Sequence, residues 1–292
     1  MDPIFLQIGP LTIAWYGVLI ASAVFAGSVV ALRYARARGL NTELFLDSAL
    51  YLVVAGVVGA RLFYVLTSPS AFFGPGGNPA DAFKVWHGGL SIHGGVIGVV
   101  LALHWFMRKH GENPWKYLDL LMPAAAFGII GGRLGNIMNG TDTGGRLTNW
   151  PIGFTWPEHG TQTFGAIGKV IFGEPLWQYA PPVCYNVPFG DPCVVHFTQL
   201  YGALVGVLLI GIVFWALKQP NPPGTVFWQF VFWYSLLRSV LEEPFRDNPL
   251  SWRVYEDAAG GVGLFTMTQL ASVLLMVVAV VIIARNKRQA RA

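Results

Sequence analysis

A chain of 292 residues that is 54% hydrophobic and only 12% charged lies far from soluble domains, in which about a quarter of residues carry charge. Its formal net charge of +4 comes from small basic groups set between apolar runs, which excludes the basic stripe of a nucleic-acid-binding protein. Cys184 and Cys193 are the two cysteines, too few by themselves for a zinc site. The composition therefore predicts an all-α integral membrane protein.

A transmembrane helix needs about 20 mostly apolar residues. Seven runs qualify in chain order: Leu11–Leu32, Leu46–Leu66, Leu90–Met107, Leu120–Ile137, Phe197–Leu217, Thr225–Leu241 and Leu264–Ala284. Met1–Gln7 has no basic stretch, and the first run has no small-residue cleavage site, so that run is read as a retained helix rather than a signal peptide. With the N-terminus outside, eleven Lys and Arg residues fall in cytoplasmic segments and five in extracytoplasmic ones. The positive-inside rule selects that orientation, with the C-terminus cytoplasmic. The basic run Arg285–Arg291 then reads as a topology anchor. The expected organisation is one polytopic domain over residues 1–292, about seven transmembrane helices, and an extracytoplasmic head at 138–196. Both cysteines lie in that head, as a disulfide suited to an oxidising compartment or as two free thiols.

Charge inside a span is costly and usually functional. Arg133 lies in a glycine-rich block, residues 128–140, that permits close approach of a helix or ligand. Asn136 is three residues on, on the same helix face, and Asn139 stands near the helix exit. Arg238 is followed by Glu242, a spacing that allows pairing along one helix, then by Pro244 and Arg246. Arg61 near the end of the second run either serves a site or snorkels to the interface. Two His-Gly-Gly units occupy residues 86–95, and His93 opens the third run with an imidazole able to move a proton near neutral pH. Six residues between the two histidines give no strong metal-ligand spacing. Tyr16 begins the first span, where an aromatic anchor is the default. In the chosen topology His93, Arg133, Asn136, Arg238 and Glu242 all fall in the outer half of the membrane. Several arginines there suit a phosphate-bearing lipid, because the guanidinium fork binds phosphate oxygens in pairs.

The ordered blocks Ile8–Gly17, Gly59–Leu62, Gly88–Gly95, Gly132–Gly140, His196–Tyr201 and Arg238–Glu242 resemble the phosphatidylglycerol–prolipoprotein diacylglyceryl transferases almost end to end. The Gly-Arg-Leu-Gly-Asn block at 132–136 is the most specific of them. The resemblance implies seven spans, a bacterial cytoplasmic (inner) membrane location, and no metal or organic cofactor. Its substrates would be phosphatidylglycerol and a preprolipoprotein with a lipobox cysteine. It maps the essential histidine to His93, the essential arginines to Arg133 and Arg238, the polar asparagine to Asn136, the N-terminal tyrosine to Tyr16 and the glutamate to Glu242, beside Glu243. Arg61, Asn139 and Arg246 complete the candidate substrate-binding set. Two acidic positions of the family pattern stand here as Thr141 and Gly202, and its Trp-Gly-Arg as Gly144-Gly145-Arg146.

The chemistry implied is attack of a cysteine thiolate on the sn-3 carbon of the lipid, with displacement of glycerol phosphate. Arg133 and Arg238 would hold the phosphate. His93 would take the thiol proton or position the headgroup, and Glu242 would orient Arg238. Two other readings stand beside this one: a divergent paralogue with another lipid donor or acceptor, and a phospholipid-binding or transport protein without chemistry.

Overall fold

The computed structural model describes residues 4–9, 11–85, 88–139, 144–156, 184, 187, 191, 193–252 and 254–290. An antiparallel hairpin, β1 (Ile4–Ile8) and β2 (Leu11–Ala14), leads into α1 (Trp15–Ala37) and α2 (Thr42–Thr67). A single turn, α3 (Ser70–Phe73), and a 3-10 turn, Pro79–Phe83, precede α4 (Ile92–Lys109) and α5 (Pro114–Asn139). Then come β3 (Phe154–Trp156), β4 (Cys193–Val195), α6 (Thr198–Lys218), α7 (Thr225–Leu241), a 3-10 turn Glu243–Phe245, the short strands β5 (Glu256–Asp257) and β6 (Val262–Gly263), and α8 (Met267–Gln289).

The protein is thus mostly helical, and each of the seven apolar runs forms a helix. Five helices, α1, α2, α5, α6 and α8, are long and apolar enough to cross a membrane. The elements α4 and α7, with 18 and 17 residues, sit at the short end of the span range. The ends differ from the sequence expectation for local reasons. Leu11–Ala14 is strand rather than helix, paired with β1 in the register Ile8↔Leu11 and Gln7↔Thr12; four apolar residues suit either state. Helix α8 starts at Met267 rather than Leu264, because Thr266 and Gln269 form a capping box there. Helix α5 starts earlier than expected, on Pro114, whose missing N–H costs nothing in a first turn.

Two compact units divide the chain: Leu32–Leu120, and Met1–Ala31 with Leu121–Ala292. In the first, α2 and α4 meet through glycine. A Cβ on Gly94 would lie 2.1 Å from the Gly59 carbonyl oxygen, and one on Gly98 would lie 2.2 Å from that of Ala55. Only small residues permit such backbone contact.

In the second unit, α1 and the middle of α5 approach in the same way. A Cβ on Gly131 would lie 2.7 Å from the Leu19 oxygen, and one on Gly27 2.3 Å from the Ala124 Cα. Ala126, Val205 and Leu209 form a core with Phe230, Trp233, Tyr234 and Leu237, which locks α5, α6 and α7 together. Beside the N-terminus of α6, β3 and β4 pair over a small core of Ile137, Phe154, Cys193 and Val195. Cys184 and Cys193 are joined in a disulfide, with Cα atoms 5.5 Å apart, so of the two cysteine readings the bridge holds.

Candidate active site

Arg133 leaves α5 two turns before its end, and Arg238 leaves the last turn of α7. Both meet carboxylates from the chain just past α7. Glu242 has φ −120° and ψ −53°, so the helix stops there, and Pro244 sits in the 3-10 turn that follows. The break sends two consecutive glutamates to different partners. Glu242 Oε1 accepts from Arg133 Nη2 and from Arg246 Nη1, the latter at 3.2 Å. Glu243 accepts from Asn248 Nδ2 at 2.7 Å and Thr266 Oγ1 at 2.9 Å, and its other oxygen lies 3.7 Å from Arg238 Nη2. The expected Arg238–Glu242 pairing along one helix is therefore corrected. Arg238 is held by Glu243 and by the Tyr234 hydroxyl, to which its Nη1 donates at 3.0 Å. Glu242 serves Arg133, and Arg246 joins Glu242 rather than Glu243.

The depth of these groups sets the character of the site. Glu242 and Glu243 are 1% and 0% exposed, while the Arg133 and Arg238 side chains keep 12% and 23% of their surface. Three arginines against two carboxylates leave one positive charge, and its accessible end is guanidinium. Such an arrangement has the charge and the forked donors that an anion requires. A hydrophobic replacement would build a simpler core, so buried charge of this kind is explained better by a ligand than by stability.

Asn136 shares a face with Arg133, as the spacing predicts. Both donate to Gln199 Oε1, at 3.5 Å and 3.4 Å. Gln199 lies in the first turn of α6 and is fully buried; the sequence shows it only as one letter of a motif. One turn further, a Cβ on Gly202 would lie 2.3 Å from Arg133 Nε, so the absent side chain is what lets Arg133 cross α6. The Tyr16 ring packs on Gly135, whose Cβ would lie 2.7 Å from Tyr16 Cδ2. The backbone of Asn139 ends α5, while Thr141 lies outside the described residues.

Next to this cluster His196 is fully buried between Trp150, Tyr201 and Phe245. Its Nε2 lies 2.7 Å from the Gly260 carbonyl and its Nδ1 3.1 Å from the Tyr201 hydroxyl. The carbonyl can only accept, so Nε2 carries the proton and Nδ1 accepts from Tyr201. Burial pushes the imidazole pKa below its ordinary value of 6.5, against the opposing pull of the Gly260 carbonyl. A depressed folded-state pKa means that the unfolded chain binds the proton first. The stabilisation is complete above the unfolded value and is lost as pH falls through the lower folded one. Thermal unfolding in detergent should show a midpoint that drops on acidification from pH 7.5 to 5.5. The variant His196→Gln should be less stable at pH 7.5 and lose part of that dependence. An identical pH dependence in both proteins would remove His196 as its source.

In the unit Leu32–Leu120, His93 is an exposed residue of the first turn of α4, with its ring 6.1 Å from that of Phe63. Its companion His87 lies outside the described residues. Arg61 does not snorkel. It is 7% exposed, and its guanidinium donates to the carbonyls of Asp81, Ala82 at 2.9 Å, Gly88 at 2.5 Å and Gly89 at 2.9 Å. Gly88 and Gly89 have φ of +81° and +68°, so glycine is what allows the chain to turn its carbonyls inward there. Arg61 holds the loop that precedes His93. Arg61→Ala removes the donors to four carbonyls of a half-exposed loop, which water can partly replace, and should destabilise the protein by about 1–3 kcal/mol in all. Thermal unfolding measures it, and a midpoint equal to that of the parent protein would refute the loop-holding role.

These features define the class: a multi-pass helical membrane protein with a buried, anion-receptive arginine cluster at one end of its helices. A family model described as prolipoprotein diacylglyceryl transferase matches residues 3–285. A phosphatidylglycerol–prolipoprotein diacylglyceryl transferase of Thermus thermophilus is 47% identical over 280 residues, 96% of each chain. The protein of the same name from Deinococcus radiodurans is 46% identical over 296 residues, 99% of this chain and 86% of its own. One from Thermoanaerobacter sp. is 31% identical over 98% of this chain and 94% of its own. The chain belongs to the prolipoprotein diacylglyceryl transferase family.

Proposed function

We propose that this chain transfers the diacylglyceryl group of phosphatidylglycerol to the lipobox cysteine thiol of a preprolipoprotein. The observation that carries the reading is the arginine–glutamate cluster of Arg133, Arg238, Arg246, Glu242 and Glu243, with its single excess positive charge. The cysteine sulfur bonds to the sn-3 carbon of the glyceryl group and the C–O bond to phosphate breaks. The electron pair leaves on the phosphate oxygen, so the products are a thioether and glycerol phosphate. Arg133 and Arg238 hold the phosphate and stabilise the charge that grows on the leaving oxygen. Glu242 fixes the first arginine and Glu243 the second, and Asn136 and Tyr16 give polar support. Arg246 lines the lipid headgroup; Asn139, whose side chain lies outside the described residues, is the further candidate for it. His93 takes the thiol proton, which lets a group of pKa about 8.5 react near neutral pH.

In this reading seven helices cross the cytoplasmic (inner) membrane of a bacterium. The N-terminus and the 138–196 head are outside and the C-terminus is in the cytoplasm. The eleven-to-five distribution of basic residues and the Cys184–Cys193 disulfide support that orientation.

The test is mass spectrometry of a lipobox peptide incubated with purified protein and phosphatidylglycerol. A diacylglyceryl mass gain on cysteine, abolished in Arg133→Ala, is expected. A folded protein that leaves the peptide unmodified, beside an active relative, would overturn the reading.

A further inference from the structure

We infer that Gln199 contacts the substrate: its side-chain amide donates a hydrogen bond to a phosphate oxygen of the lipid headgroup, beside Arg133. The inference rests on the transferase reading and adds a headgroup contact to it.

Gln199 is fully buried in the first turn of α6. Its carbonyl oxygen is used twice, by Arg133 Nη1 and Asn136 Nδ2. Its amide nitrogen is buried and has no acceptor among the described residues. Rotating the amide by half a turn does not cure this. Arginine nitrogens only donate, so the rotated amide would set its own N–H groups against Arg133. Arg133 therefore fixes which end of Gln199 faces it and leaves the –NH2 as a directed donor with no acceptor among the described residues. A buried donor without an acceptor is costly, and native structures keep one where something else completes it.

The surroundings say what that is. The donor stands beside a guanidinium whose side chain remains partly exposed, in a cluster with one positive charge in excess, so the group that completes it is an anionic oxygen. Gly202, one turn along α6, leaves the space through which Arg133 passes and so keeps arginine and amide at the same level. A phosphate seated on Arg133 thereby receives a neutral donor that adds no further charge and orients the headgroup.

Substitution separates a donor from a mere support. In Gln199→Glu an acceptor for Arg133 and Asn136 survives, so Arg133 stays held, while the new carboxylate also cancels the excess positive charge of the cluster; the neutral Gln199→Met adds no such charge and is read beside it. A donor to phosphate is replaced by an oxygen that repels it. With full-length protein in detergent micelles, phosphatidylglycerol and a lipobox peptide, Gln199→Glu is expected to raise KM for the lipid by about tenfold or more, the scale of one charge-assisted hydrogen bond. KM for the peptide should stay within about twofold and the unfolding midpoint close to that of the parent, as for one lost headgroup contact. Gln199→Met keeps the length without either polar atom and should also raise KM for the lipid, which provides the reading if the glutamate variant fails to fold. An unchanged lipid KM in a folded Gln199→Glu, with the parent protein active, overturns the inference alone. A parent protein that transfers nothing overturns the transferase reading and this inference with it.

Discussion

Arg133→Ala is expected to lower kcat for diacylglyceryl transfer by about 10²–10³-fold, the typical cost of removing one preorganised charge-stabilising donor. The expectation follows from where the guanidinium is held. Its Nη2 donates to Glu242, its Nη1 to Gln199, and its stem crosses α6 over Gly202, so it is fixed before any substrate arrives. Fixed donors need no reorganisation when charge develops on the leaving oxygen. Arg133→Lys keeps the charge but loses the planar fork and the reach to two acceptors at once, so it should recover only a small part of the rate. The alanine variant also leaves Glu242 to Arg246 alone, and breaking a buried ion pair costs about 3–5 kcal/mol. Rates must therefore be compared on the folded fraction, measured by thermal unfolding in the same detergent. A folded Arg133→Ala with a rate within about tenfold of the parent, well short of what such a donor supplies, would remove Arg133 from the chemistry.

The arginines were legible in the sequence because a charge within an apolar run is too costly to be incidental. Their partners were not. The four-residue spacing of Arg238 and Glu242 is a helix rule, and it fails because the helix stops at Glu242, just before the Glu243-Pro244-Phe245 turn. Spacing cannot register that one residue of broken helix turns Glu242 toward Arg133, 109 positions away. Arg61 shows the same limit. Its polarity was visible, but its acceptors are backbone carbonyls 20–28 residues on, and any residue type supplies a carbonyl. Gln199 has no signature either, since a glutamine at a helix start is ordinary until its burial and partners are known. The glycines were the most informative letters. The approaches of Gly94 to Gly59 and of Gly131 to Leu19 are the close helix contacts that small residues in apolar runs announce. The four-residue strand β2 was lost in the first apolar run, because its residues are as apolar as those of the helix it enters.

His93→Ala is expected to lower kcat by about 10²–10⁴-fold at pH 7, the range for a positioned general base, and the deficit itself should depend on pH. Without a base, the reaction draws on the thiolate already present in solution. That fraction rises about tenfold per pH unit until the thiol, of pKa about 8.5, is ionised. The variant should therefore gain rate steeply between pH 6.5 and 8.5, by about 16-fold from pH 7 to 8.5, which narrows its deficit against the parent protein without closing it. A histidine that only positioned the headgroup would behave differently. Its loss would raise KM for phosphatidylglycerol, and the ratio of the two rates would stay level across the range. The exposed position of His93 in the first turn of α4 makes the comparison clean for folding, because an alanine there opens no cavity. A level ratio with a raised lipid KM would reassign His93 to lipid positioning and leave ionisation of the thiol to the arginines; a converging ratio would identify it as the base.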